Sequence, residues 1–402
     1  MIGLDFFIDN YGLLLGALFV FVGLMSFVYA LGTMHEKGHR LEYYLMLLLI
    51  VGSGVGVAFS YNILLIFVFW EVSTFAAWRA VAYYRRAPEI EASTWTFLIN
   101  FIAASILLVG ILMIYNDNGT FSIFDISTVS ETAALFVLVG IMTKSVTVPF
   151  HVWLAPAYGA IPTALGGSLA GVAENIGVIL FLRLFTLSGH GTPAFMEMVA
   201  WLAVVSSIVG GGVALRSNKL RNMLAFSTIS QVGFVLLAFA VGGLYGVVGG
   251  ILYILAHALA KSGLFYGVGL IEDVTGEDDL TNMSCMFRLS PVLTLGMALL
   301  AGSLVGFFPL IGFFSKLAVI VSAVGHSPYL GIGAIASAVV TLLYITRFYH
   351  EVFFGDKCDI AKSRYKRPSN AAVAVVFMLA LLSLILGVMF YEPLGFLIAG
   401  GQ

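Results

Sequence analysis

The chain has 402 residues, of which 60% are hydrophobic and 10% charged, with a formal net charge of −2. A soluble globular domain carries roughly 25% charged residues, which excludes that class. Uninterrupted apolar runs of about 20 residues also exclude a transmembrane barrel, whose strands alternate polar and apolar positions. An all-α polytopic membrane protein remains.

Residues 1–10 carry two aspartates and no Lys or Arg, so the first apolar run is expected to be a permanent helix, not a cleaved signal peptide. In chain order, hydropathy predicts spanning helices at about 11–32, 41–60, 62–83, 94–115, 133–152, 163–187, 196–215, 220–241, 244–271, 290–325 (long and broken), 329–353 and 370–392. That makes about twelve. One set of connections holds Lys37 and Arg40; Arg85 and Arg86; Arg216, Lys219 and Arg221; Arg288; and Lys357, Lys362, Arg364, Lys366 and Arg367. These are 13 of the 19 Lys and Arg, and the alternate connections hold none. The positive-inside rule then places the basic set in the cytoplasm and both termini outside, in a plasma (inner) membrane. Cys285 and Cys358 fall in cytoplasmic loops, where neither a disulfide nor a metal site is expected. No nucleotide-binding motif is present and no loop is long enough for a soluble active site. No nucleic-acid partner is expected, and the lipid bilayer is the surrounding medium.

The stretch from Ile141 to Arg183 organises the chain. Lys144 lies in an apolar helix that Pro149, Pro156 and Pro162 then interrupt, and Glu174 and Asn175 follow in a Gly-rich segment. Helix 10 repeats the plan, with a break around Pro309 and Gly312 just before Lys316. Two interrupted helices at corresponding places suggest two inverted five-helix repeats. The chain therefore divides into an N-terminal helix (1–40), a first half (41–190), a second half (191–355), and a cytoplasmic loop with a final helix (356–402).

A charge at bilayer depth costs about 3 kcal/mol or more, so buried charges mark a candidate path. Glu71 and Lys144 are both expected mid-helix and are read as a pair, since a buried carboxylate and lysine tune each other's protonation. His257 and Lys261 lie one turn apart on one helix face. With Glu174 and Lys316 they complete a candidate ion path; the simpler reading is structural ion pairs and satisfied core residues. Arg79, Arg183 and Arg347 read as cations snorkelling at cytoplasmic helix ends, with Arg79 also able to tune Glu71. Ser227, Ser230 and Gln231 form a polar face suited to interhelical hydrogen bonds or to lining water. His151 and His326 lie near opposite mouths of the path.

FWEVSTFAAW with YYRR, TKSVTVPFHVWLAPAYGAIPTALGGSLAGV, LRNMLAFSTISQVGFVLL, LYILAHALAKSGLFYGVGLI and GFFPLIGFFSK occur in this order. Over about residues 43–355 the chain resembles the antiporter-like subunits of respiratory complex I, energy-converting membrane-bound hydrogenases and multisubunit sodium/proton antiporters. The resemblance implies ion translocation through Glu71, Lys144, Lys261 with His257, and Lys316, with no redox cofactor in the chain. Its partners would be other membrane subunits of a respiratory or hydrogenase complex and, indirectly, an iron–sulfur peripheral arm. Three departures stand out. The glutamate is on the third helix where members usually have it on the fifth, and the long lateral helix of the largest subunits is absent. The chain also reads AGVAEN where many members have a connecting lysine, so Asn175 takes that position with Glu174 beside it. The ending RFYHEVFFG is nearer to hydrogenase-type members. A proton-translocating subunit of a redox complex is the leading expectation; an antiporter subunit or a non-pumping scaffold are the alternatives.

Overall fold

The computed structural model describes residues 5–34, 38–282, 286–288, 290–354 and 368–399. Lys37, Cys285, Cys358 and the basic residues from Lys357 to Arg367 lie outside the described residues. The elements in order are α1 (Asn10–Thr33), α2 (Arg40–Phe59), α3 (Ile63–Val81), α4 (Ala87–Asn118), α5 (Glu131–Lys144), α6 (Leu154–Ala160), α7 (Thr163–Leu187) and α8 (Pro193–Arg216). They continue with α9 (Leu220–Val241), α10 (Gly243–Thr275), α11 (Pro291–Val305), α12 (Ile311–His326), α13 (Pro328–Phe354), α14 (Asn370–Val388) and α15 (Tyr391–Ala399). Among the described residues ten helices are long and apolar enough to cross a membrane, and α11 and α12 are shorter apolar helices. The protein is an all-α polytopic membrane protein.

Local chemistry sets the helix ends. Asp9 accepts from Gly12 N at 2.9 Å at the start of α1, and Asn62 accepts from Leu64 N and Leu65 N at the start of α3. Pro193 and Pro291 begin α8 and α11, where the missing N–H costs nothing. Two faces result. Asp9, Ser60 and Ser122 lie together on one, and Arg85, Lys219 and Asp279 belong to the other.

Three helices form the interior. The apolar window of α7 is 100% buried, that of α9 89% and that of α10 78%. The remaining helices pack around them, so polar groups on these three meet protein and not lipid. Close approach is built in by small residues: a Cβ on Gly167 would lie 2.1 Å from the Tyr266 ring of α10. Wide π-type turns occupy Leu169–Ala173 of α7, where Glu174 N reaches Leu169 O at 3.2 Å. Such turns are rare and concentrate at functional sites.

The fifth predicted span differs from expectation, because α5 stops at Lys144 instead of running on to residue 152. Val146 turns the chain with φ 49°, a left-handed conformation that a β-branched residue seldom adopts. The freed carbonyls find protein partners: Thr147 N and Oγ1 reach Met142 O at 2.8 and 3.1 Å, and Trp153 Nε1 reaches Thr143 O at 3.1 Å. Satisfaction of this kind is what permits a helix end at membrane depth. Further along the chain α11 ends at Val305, capped by Gly306 (φ 94°), and α12 starts at Ile311.

Candidate functional site

Lys144 closes α5, so its ammonium sits where the negative end of the helix dipole favours a cation. Its side chain is 3% exposed, and Nζ donates to Thr74 Oγ1 at 3.1 Å and Trp70 O at 3.4 Å, 5.7 Å from the Trp70 ring centroid. The expected direct pair with Glu71 is not formed: no ion pair within 4 Å joins them among the described residues. Trp70 and Thr74, four residues apart on α3, face Lys144, and Glu71 is turned about 100° from Trp70 and about 60° from Thr74 on the same helix. Glu71 is half-buried, with Oε1 unpartnered, and reaches Lys144 only through its electrostatic field.

Glu174 occupies the centre. It is 1% exposed; Oε1 accepts from the Tyr158 hydroxyl at 2.8 Å, while Oε2 has no protein partner. A small cavity of about 10 Å³, lined by Thr74, Thr96, Asn100, Lys144, Trp153 and Glu174, lies between this carboxylate and Lys144. Such a volume holds about one water. Glu174 is also in the field of Lys261, so it faces a lysine of α5 and a lysine of α10. Asn175 does not join it. Its amide turns back to Gly171 O at 3.0 Å on its own helix.

From Tyr158 the polar groups continue to Thr228 Oγ1 at 3.4 Å on α9. Lys261 of α10 donates to Leu224 O at 2.9 Å and to Ser227 Oγ on the same face of α9. His257, one turn before Lys261, is fully buried and neither ring nitrogen has a protein partner. Gln231 carries the lane onward: Nε2 donates to Tyr344 Oη at 2.9 Å and Thr341 Oγ1 at 3.0 Å, and Oε1 accepts from Tyr253 Oη. The Tyr253 ring centroid is 5.6 Å from Lys316 Nζ, which donates to Leu304 O at 2.6 Å, one of the orphan carbonyls at the end of α11. Lys144 is thus the last residue of α5, and Lys316, from the first turns of α12, reaches back to the C-terminal end of α11. Ser230 accepts weakly from Gln231 at 3.4 Å, and its carbonyl receives Ser207 Oγ at 2.8 Å, an interhelical bond between α8 and α9.

Lys144, Glu174, Lys261, Ser227, Gln231 and Lys316 are therefore brought into one lane, with His257 alongside and Glu71 turned off it on α3. The sequence reading misses Tyr158, Thr228, Tyr253, Thr341 and Tyr344. One signal was available: Tyr253, His257 and Lys261 recur every four residues on one face of α10.

Other candidates lie elsewhere. Arg79 pairs with Glu42 near Arg85 and does not contact Glu71. His151 is half-buried in the α5–α6 break against Phe226, and His326 pairs with Glu197 at 2.9 Å on the Asp9 face. Arg183 corrects an expectation. It lies at the Asp9 end of α7, not the basic-loop end, and pairs with Asp9 Oδ1 at 3.3 Å while donating to Ser60 O at 2.9 Å and to Ala58 O. Asp9→Ala should leave this 2%-exposed guanidinium without its counter-charge and remove the α1 cap. A loss of about 3 kcal/mol is expected, read as a lower thermal transition of the purified protein.

A family model described as NADH:quinone oxidoreductase/Mrp antiporter, TM, matches residues 60–341. The provisionally named antiporter subunit mnhA2 of Staphylococcus haemolyticus (strain JCSC1435) is 29% identical over 423 residues, covering 96% of this chain and 52% of that protein. Its namesake in Staphylococcus epidermidis (strain ATCC 12228 / FDA PCI 1200) is 28% identical over 433 residues, covering 98% and 53%. The chain spans about half the length of these curated relatives. In the solved structure of the Mrp complex from Dietzia sp. DQ12-45-1b, one chain shares the fold with a TM-score of 0.86 at 23% identity, covering 98% of this chain and 83% of that one. The match covers the Glu71 helix and the buried Lys144, Lys261 and Lys316, and the chain belongs to the NADH:quinone oxidoreductase/Mrp antiporter transmembrane family.

Proposed function

We propose that the chain is the proton-handling subunit of a multisubunit Na+/H+ antiporter in the plasma membrane, working beside other membrane subunits. The observation that carries this reading is the buried lane from Lys144 through Glu174 and Lys261 to Lys316, because such charges are costly unless used. The relatives that cover nearly the whole chain carry antiporter names, which favours exchange over the redox-driven, iron–sulfur-linked complex expected first from the sequence. The lane speaks against a scaffold role, since apolar packing would hold helices together as well as buried charges.

Movement follows from mutual repulsion and attraction along the lane. Two unit charges 4 Å apart interact by about 4 kcal/mol at an effective dielectric of 20, enough to displace a proton to the next site. Protonation of Glu174 removes the attraction that holds charge on Lys144 and Lys261, so the carboxylate couples the two halves. In proteoliposomes containing the purified complex and an imposed pH gradient, added Na+ should collapse the gradient. A complex that ignores Na+ yet pumps on addition of a redox substrate would overturn the reading.

A further inference from the structure

An open cavity of about 820 Å³ sits on the Arg85 face, walled by the start of α4, by α6 and by the ends of α9 and α10. Helix α6 separates it from Glu174. Gly159 is exposed on the cavity side, whereas the neighbouring Tyr158 is fully buried with its hydroxyl on Glu174. A helix of seven residues, with Pro156 in its first turn and Pro162 just past its end, has no stability of its own and must be held by its surroundings. Arg221 holds it. Its Nη1 donates to Ile161 O at 2.7 Å and Tyr158 O at 3.3 Å, and Nη2 donates to Thr163 Oγ1 at 3.1 Å. Nε donates to Glu272 Oε1 at 3.1 Å and Oε2 at 2.8 Å, and Nη2 lies 2.7 Å from Oε2, so one guanidinium serves the carboxylate and the α6 carbonyls at once, which a lysine ammonium cannot do.

We infer that Arg221 and Glu272 form a latch that keeps α6 closed between this vestibule and Glu174, and that its release admits water and protons to the lane. Arg221 is a positioning residue: it acts through the backbone carbonyl of Tyr158, whose hydroxyl holds Glu174. The inference rests on the antiporter reading for its purpose but not for its geometry. It also gives the vestibule a role that the lane alone does not require.

The test uses the intact complex in membranes, with Cys285 and Cys358 replaced by serine and a membrane-impermeant maleimide as probe. Gly159→Cys is the control, since a Cβ there meets nothing within 4 Å. It should label in every background. Ile161→Cys, at a residue that is fully buried beneath the latch, should resist labelling while Arg221 is present. Arg221→Gln should raise its labelling rate at least about tenfold, the scale of a lost charged hydrogen-bond network. Arg221→Lys should restore protection only in part. Glu272→Gln serves as the second variant where Arg221→Gln does not accumulate, and should also expose Ile161→Cys. Equal labelling of Ile161→Cys with and without the latch overturns the inference, as does labelling as fast as the control while Arg221 is intact. Na+-dependent gradient collapse measured in the same membranes separates the two readings. If exchange persists and labelling is unchanged, only the latch fails; if exchange is absent while labelling follows the latch, only the antiporter reading fails.

Discussion

Lys144→Ala is expected to abolish ion exchange in the intact complex while leaving the fold in place. The side chain is 3% exposed and reaches Thr74 and Trp70 O, but Thr74 also donates to Trp70 O at 3.0 Å. Removing the lysine therefore orphans few polar groups. What it removes is the one lysine, among the described residues, that lines the small cavity beside Glu174. A positioned proton-transfer group contributes about 10²- to 10⁴-fold, so exchange should fall by at least about 10². Lys144→Met, which keeps the volume, separates function from packing: near-normal exchange with methionine would make the lysine a structural element.

Lys316→Ala should cost both stability and transport. Nζ caps Leu304 O at 2.6 Å and lies 5.4 Å from the Phe234 ring centroid, so alanine leaves a buried carbonyl unpaired at the end of α11. An unsatisfied buried acceptor costs about 1–3 kcal/mol, read as a lower thermal transition of the detergent-purified complex. The exchange rate should fall by about 10² or more at the same time, because the lane then ends at Tyr253. Lys316→Arg keeps a cation and a donor and should recover most of the stability. A variant that loses stability alone would reduce Lys316 to a helix cap.

Much of this arrangement is legible from residues alone. Apart from the fifth, the predicted spans each find a helix because hydropathy and loop charge constrain each other, and Lys144, Lys261 and Lys316 announce themselves as charges where lipid would forbid them. Contacts set by rotation about a helix axis are harder to read. Glu71 is the acidic residue nearest in type to a lysine partner, yet Trp70 and Thr74 present the face that Lys144 meets. The early end of α5 is hidden because nothing in MTKSVTV marks a stop before Pro149, and Val146 adopts a conformation against its own preference. Arg183 looks like an ordinary snorkelling cation because its counter-charge, Asp9, is 174 positions away. The tyrosines of the lane look like core residues until their hydroxyls are placed.

Glu174 is where this chain departs from its family resemblance, and it lies in the fields of both Lys144 and Lys261. Glutamine there keeps the shape and can still accept from Tyr158, but cannot take and release a proton. The direct measurement is Na+-driven collapse of a pH gradient in proteoliposomes containing the Glu174→Gln complex, beside the unaltered complex at equal protein. Loss of exchange by about 10²-fold, with an unchanged thermal transition, is the predicted result. Exchange at the unaltered rate would show that ions do not pass through the centre of the lane.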